Sequence, residues 1–106
     1  MSSSTVETSK AIARNVTVRN ETLSVELVDG RLISVPLSWF PRLVHATRKE
    51  RNTWRLIAGG RGIHWPDVDE DISVANLLDG HPSGESQTSF KKWLSERAKK
   101  SPRRLR

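Results

Sequence analysis

Gly62-Ile63-His64-Trp65-Pro66-Asp67-Val68-Asp69-Glu70-Asp71-Ile72-Ser73-Val74-Ala75-Asn76-Leu77-Leu78 is the stretch around which the chain organises itself. Ile63-His64-Trp65 reads as a strand, and Pro66 stops it because proline has no N–H for a ladder. Asp67-Val68-Asp69-Glu70-Asp71 reads as an acidic loop. Ser73 suits the N-cap of a short helix carrying Val74, Leu77 and Leu78 on one face, and Asp79-Gly80 closes that helix. A strand feeding a short helix through a loop, with no long helical period, points to a small α+β fold.

Upstream, Trp54-Arg55-Leu56-Ile57 reads as the strand that pairs with Ile63–Trp65 across a tight Gly59-Gly60-Arg61-Gly62 turn. That glycine run lacks the Gly-Lys-Ser/Thr ending of a phosphate loop, and a strand follows it where a phosphate cradle needs a helix N-terminus. Thr47-Arg48-Lys49-Glu50 is a capping-box pattern, predicting a short helical turn through Arg51 and Asn52. Before it, Ser38 reads as a helix cap with Pro41 in the first turn, and Trp39, Phe40, Leu43 and Val44 share one face. Val16 and Val18, then Leu23, Val25 and Leu27, alternate with polar neighbours, and Leu32–Val35 follows an Asp29-Gly30 turn. With a turn at Asn20-Glu21, these three runs predict a meander ending at Pro36. The expected architecture is a small antiparallel β-sheet, the N-terminal three-stranded meander plus the Trp54–Trp65 hairpin, packed with short helices and a C-terminal amphipathic helix. That last helix starts near Ser89 and sets Phe90, Trp93, Leu94 and Arg97 at helical spacing. Of the four tryptophans, three are expected in the core and one partly exposed.

The 106 residues suit one domain. Residues 1–11 read as a disordered lead, 12–80 as the α+β domain, and 81–106 as a loop, the amphipathic helix and a basic tail. A folded part of roughly 80 residues buries about 60–65% of its unfolded surface, enough for one modest core but not for a deep cleft. There is no cysteine, hence no disulfide, thiolate-bound zinc or thiol nucleophile. The N-terminus has no apolar run of a signal peptide, and no stretch approaches the ~20 apolar residues of a membrane span. A cytoplasmic protein that avoids membranes is the expectation. The net charge of +6 is unevenly placed: residues 90–106 hold eight bases and one acid, and the rest hold ten bases and eleven acids. Attraction to polyanions would therefore belong to the arm, through Lys91, Lys92, Arg97, Lys99, Lys100, Arg103, Arg104 and Arg106. No turn-and-recognition-helix pattern precedes these residues, so such contact would be blind to sequence.

His64 with Asp67, Asp69, Glu70 and Asp71 has the residue types of a metal site, but the spacing matches no calcium loop. Carboxylates just before a helix are also favoured by its dipole, so no metal or cofactor is expected. No paired carboxylates, triad or Gly-x-Ser-x-Gly pattern supports catalysis, so a non-catalytic protein is expected, with no catalytic residues. The same five residues, His64, Asp67, Asp69, Glu70 and Asp71, are instead the candidate partner-binding set, because acids on a loop steer a basic partner surface.

The run from Arg61 to Val74, continuing through Leu77-Leu78-Asp79-Gly80, resembles the domain-of-unknown-function family 2442. Leu23-Ser24-Val25, Asp29-Gly30-Arg31 and Ser34-Val35-Pro36-Leu37 resemble its opening hairpin, and Trp39-Phe40-Pro41-Arg42-Leu43, Ala46-Thr47, Glu50-Arg51 and Trp54 its helical middle. The resemblance covers about Val16 to Gly80. It implies a small α+β fold and a gene beside one for a second small protein, in a pairing proposed to be a bacterial or phage toxin–antitoxin system. This chain would be the antitoxin-like half, with the neighbouring gene's product as its partner and the family supplying no catalytic residues. The alternative is a nucleic-acid-binding regulator acting through the basic arm, and self-association into a homo-oligomer stays open beside both.

Overall fold

A computed structural model describes residues 11–99. Strands β1 (Ala13–Arg19), β2 (Thr22–Leu27) and β3 (Leu32–Pro36) form an antiparallel meander. Alternation buries Leu23, Val25 and Leu27 completely on one face of β2. Asn20 turns the first hairpin at φ 56°, and at the second only Gly30 takes positive φ, at 96°. Asp29 supports that second turn from outside, its carboxylate accepting from the backbone N–H and Nε of Arg31.

A 3-10 turn, Leu37–Trp39, leads into the short helix α1 (Pro41–Val44). Ser38 lies inside the 3-10 turn, and Phe40 occupies the N-cap position with no side-chain bond, so the expected serine cap is absent. Phe40 and Leu43 face the core, but Val44 turns outward. Helix α2 (Arg48–Arg51) has the complete capping box: Thr47 Oγ1 accepts from Glu50 N–H, and Glu50 reaches back to Thr47 N–H.

The second sheet joins β4 (Arg55–Ile57), β5 (Gly62–Trp65) and β6 (Glu70–Ser73) in that order. The hairpin expected at Trp54–Trp65 is present, and a third strand lies beside it. The residues Glu70 and Asp71, read from sequence as the end of a loop, are the start of β6. The loop shrinks to Pro66–Asp69 because Glu70 and Ile72 alternate with Asp71 and Ser73, a two-residue period hidden by the density of charge. Ser73 then caps α3 (Val74–Leu78) through Asn76 N–H, and Asp79 and Gly80 end it. Helix α4 (Gln87–Lys99) opens with Ser86 Oγ accepting from Ser89 N–H.

Both sheets feed one core that includes Leu23, Leu27, Leu43, Ile63, Trp65, Val68 and Val74. Trp65 alone of the four tryptophans is fully buried; Trp39, Trp54 and Trp93 pack on the edge of the core. The expectation of three core tryptophans fails because this core is filled mainly by aliphatic strand residues. Ala11 is 3% exposed and belongs to the core, so the polar lead stops one residue earlier than expected. Residues 1–10 and the tail from Lys100 lie outside the described residues. No described helix is long and apolar enough to cross a membrane.

The sheets meet at Gly60. Its φ is +91°, and a Cβ there would come within 2.5 Å of Ile12 Cγ2 and 3.3 Å of Ala13 O. Gly60→Ala is therefore expected to cost about 2–4 kcal/mol, from left-handed strain plus the clash. Gly30→Ala, at φ +96° but facing open space, should cost only about 1 kcal/mol. Urea titration of both variants measures the difference, and equal costs would show that the sheets do not pack tightly at Gly60.

Candidate functional site

In the β5–β6 hairpin Trp65 pairs with Glu70, His64 with Asp71, and Ile63 with Ile72. Pairs alternate between faces, so Ile63, Trp65, Glu70 and Ile72 point inward and His64 and Asp71 outward. The five candidate binding residues are thus divided among three environments. His64 Nδ1 and the Asp71 carboxylate form an outer-face pair, next to Arg55, which is opposite His64 on β4. Asp67 and Asp69 stand exposed on the turn, Asp69 at φ 53°, while Val68 between them is 1% exposed and anchors the turn in the core. Glu70 is 9% exposed, and burial pushes its carboxyl up to about 7. These residues do not converge as metal ligands, and among the described residues no group of three His, Asp or Glu side chains does.

Arg42, which the sequence reading passed over, holds this region in place. Its guanidinium bonds bidentately to Glu85, with Nε to Oε1 at 2.9 Å and Nη2 to Oε2 at 2.5 Å. Nη1 donates to Val68 O at 3.0 Å and Asp69 O at 3.3 Å, so α1 grips the hairpin turn. The same guanidinium lies 5.1 Å from the Trp93 ring centre on α4. Arg97 lies 5.1 Å from that ring as well and pairs with Glu50 at 2.5 Å. The Arg97–Glu50 pair and the Trp93 indole therefore dock α4, and the Arg42–Glu85 pair docks the loop before it. Hydrogen bonds from Arg42 and Arg97 hold the Glu85 and Glu50 carboxyls, respectively, below their usual range.

This docking revises the basic set. Phe90, Trp93, Leu94 and Arg97 form the half-buried face that their spacing predicts. Arg97 is thereby committed to Glu50 and the His45 carbonyl, and is withdrawn from the surface a polyanion would meet. Lys91, Lys92 and Lys99 are exposed. Lys100, Arg103, Arg104 and Arg106 lie outside the described residues. Between the hairpin turn and α4 runs a cleft of about 380 Å³, lined by Arg42, Asp67, Asp69, Lys92, Trp93 and Glu96 among others. The acidic turn and the basic helix, separate features in the sequence, are walls of one groove.

The carboxyls set opposing pH dependences. Glu70 has a raised folded pKa, so the stability it lends is full below about 4.5 and is lost as pH rises through about 7. Glu50 and Glu85 have lowered values, so their contribution is present above the ordinary carboxylate range and is lost on acidification through those lowered values. Stability should therefore peak in mildly acid solution and fall by about 1–3 kcal/mol toward pH 8. Glu70→Gln should abolish the alkaline decline and leave the acid one. Chemical denaturation across pH checks this, and a decline identical in Glu70→Gln would assign it to another group.

A family model described as "Protein of unknown function (DUF2442)" matches residues 13–83. Two solved structures share the fold at 20% identity and a TM-score of 0.63 each. One is a protein of unknown function from Rhodospirillum rubrum, covering 73% of this chain and 95% of its own. The other is an uncharacterized protein from Chromobacterium violaceum, covering 88% and 82%. No curated protein matches. The chain belongs to the DUF2442 family.

Proposed function

We propose that this family member is a non-catalytic, cytoplasmic protein-binding module, the antitoxin-like half of a bacterial or phage pair whose other half is a small protein from a neighbouring gene. The observation that carries the reading is the β5–β6 turn. Asp67 and Asp69 are exposed on a backbone fixed by buried Val68 and by Arg42. Among the described residues neither carboxylate forms an ion pair. Two charges already held in position favour fast electrostatic capture of a basic surface and lose little entropy on docking. The pairing with a toxin comes from the family resemblance, and the turn supplies the surface.

Coexpression with the neighbouring protein should yield a complex that survives purification. Asp67→Ala with Asp69→Ala should weaken it about tenfold, chiefly through a slower and less salt-sensitive on-rate. Absence of a complex at low salt, or one indifferent to both substitutions, would sink this reading.

A second reading is favoured by one observation: Lys91, Lys92 and Lys99 are exposed along α4. Nucleic acid bound there would be held through phosphates. Gel shifts at two salt concentrations, with the full chain and with Lys91, Lys92 and Lys99 changed to Gln, decide it. Salt-dependent shifts that the triple variant loses support the reading, and shifts unchanged by the substitutions overturn it.

A further inference from the structure

Along β6 and the loop before α4 lies a second, smaller cleft. It measures about 120 Å³ and is walled by Phe40, Glu70, Asn76, His81, Ser83 and Gly84, with neighbouring backbone. Glu70 is nine-tenths buried, yet among the described residues its carboxylate accepts no hydrogen bond and forms no ion pair. Among the described residues no sealed side-chain oxygen lacks a partner, so the Glu70 carboxylate, buried as a residue, still meets solvent at its oxygens. The nearby cation, Arg42, is committed to Glu85 and to the Val68 and Asp69 carbonyls. Glu85, Asp71 and Asp69 add negative charge near Glu70, and Arg42, already committed elsewhere, opposes them. Phe40, buried in the core, closes one side of it, and the Asn76 side chain, unbonded to any described residue, offers a carbonyl oxygen. A guanidinium answers both polar features: its planar fork pairs bidentately with a carboxylate and its remaining N–H groups donate to an amide. An ammonium offers no such fork.

We propose that this cleft is a receptor for a guanidinium group, supplied by an arginine of the partner protein inferred above. The source of the group rests on that reading; the chemistry of the cleft does not. Bound guanidinium favours the ionised form of Glu70, so affinity rises as pH passes upward through about 7. The charged and titratable groups around Glu70 are Arg42 from α1, Asp69 from the hairpin, His81 and Glu85 from the loop before α4, and, from the opposite face of its own strand, Asp71.

The test uses the full ¹⁵N-labelled chain and N-acetyl-arginine methylamide as probe, with N-acetyl-lysine methylamide as comparison. The arginine probe should shift the amides of Ile72, Asn76 and Ser83 and bind about tenfold tighter at pH 8 than at pH 6. Glu70→Gln should weaken it about tenfold and flatten the pH dependence, Asn76→Ala should weaken it less, and His81→Asn should leave the pH dependence in place. Asp67→Ala alone should not change probe binding, which separates this cleft from the docking turn. Shifts absent at saturating probe, equal binding by Glu70→Gln, or preference for the lysine probe would overturn the proposal. Where the probe binds, complex formation by Glu70→Gln names the source. A weakened complex assigns the partner's arginine, and an unchanged one assigns a free guanidinium compound.

Discussion

The Arg42 guanidinium joins parts of the chain that no β-ladder connects. One planar group holds α1, the β5–β6 turn, the loop before α4 and the Trp93 ring. The Arg42 and Glu85 side chains are only 14% and 13% exposed, so their charges are mostly out of water and depend on each other. Removing one partner from such a pair leaves the other uncompensated, a larger loss than an exposed ion pair ever returns. A smaller relay stands beside it. Arg51 donates to the Leu43 and Val44 carbonyls that end α1, and its own carbonyl accepts from Trp65 Nε1 at 3.0 Å. Four-residue helices have almost no intrinsic stability. Here two arginines and an indole hold them at both ends.

Local chemistry made much of the fold legible. The Thr47–Glu50 capping box, the Ser73 cap, the Asp79-Gly80 stop and the meander through Leu23, Val25 and Leu27 depend on residues a few places apart, and each stands where its pattern puts it. The failures share one cause. Ser38 is not a cap because the chain must turn tightly after Pro36 to bring Phe40 into the core. Val68 is core despite its acidic neighbours because the turn folds back on itself. Arg42 and Arg97 looked like ordinary surface charge, since their partners Glu85 and Glu50 are 43 and 47 residues away. Glu70 was the reachable case, because its alternation with Asp71, Ile72 and Ser73 was present in the sequence. An acidic run conceals a strand when one of its acids faces inward.

The candidate site shows how topology rearranges a charge map. The chain is acid-poor at one end and balanced elsewhere, which suggests two unrelated surfaces. Folding sets Lys92 and Glu96 beside Asp67 and Asp69. A polyanion approaching α4 on this side meets two carboxylates, and a basic surface approaching the turn meets a lysine. The groove therefore presents both signs of charge at once, in places set by the fold.

Helix α4 has no fully buried residue, and no sheet backs it. Its hold on the rest of the molecule includes Trp93 at the edge of the core, Phe90 against the His45 ring at 5.4 Å, and the clasps of Arg42 and Arg97. The shared core between the sheets does not include it. The chain thus has two kinds of cohesion, an apolar core shared by the sheets and, at α4, half-buried rings with ionic clasps, and the second is the one expected to open first. Amide protons of α4 should sit in the fast-exchanging tier, with strands β2 and β5 in the slow one. Brief release of α4 would widen the groove without disturbing the β5–β6 turn. The groove thus has one wall anchored in the core through Val68 and another held only at the edge of that core.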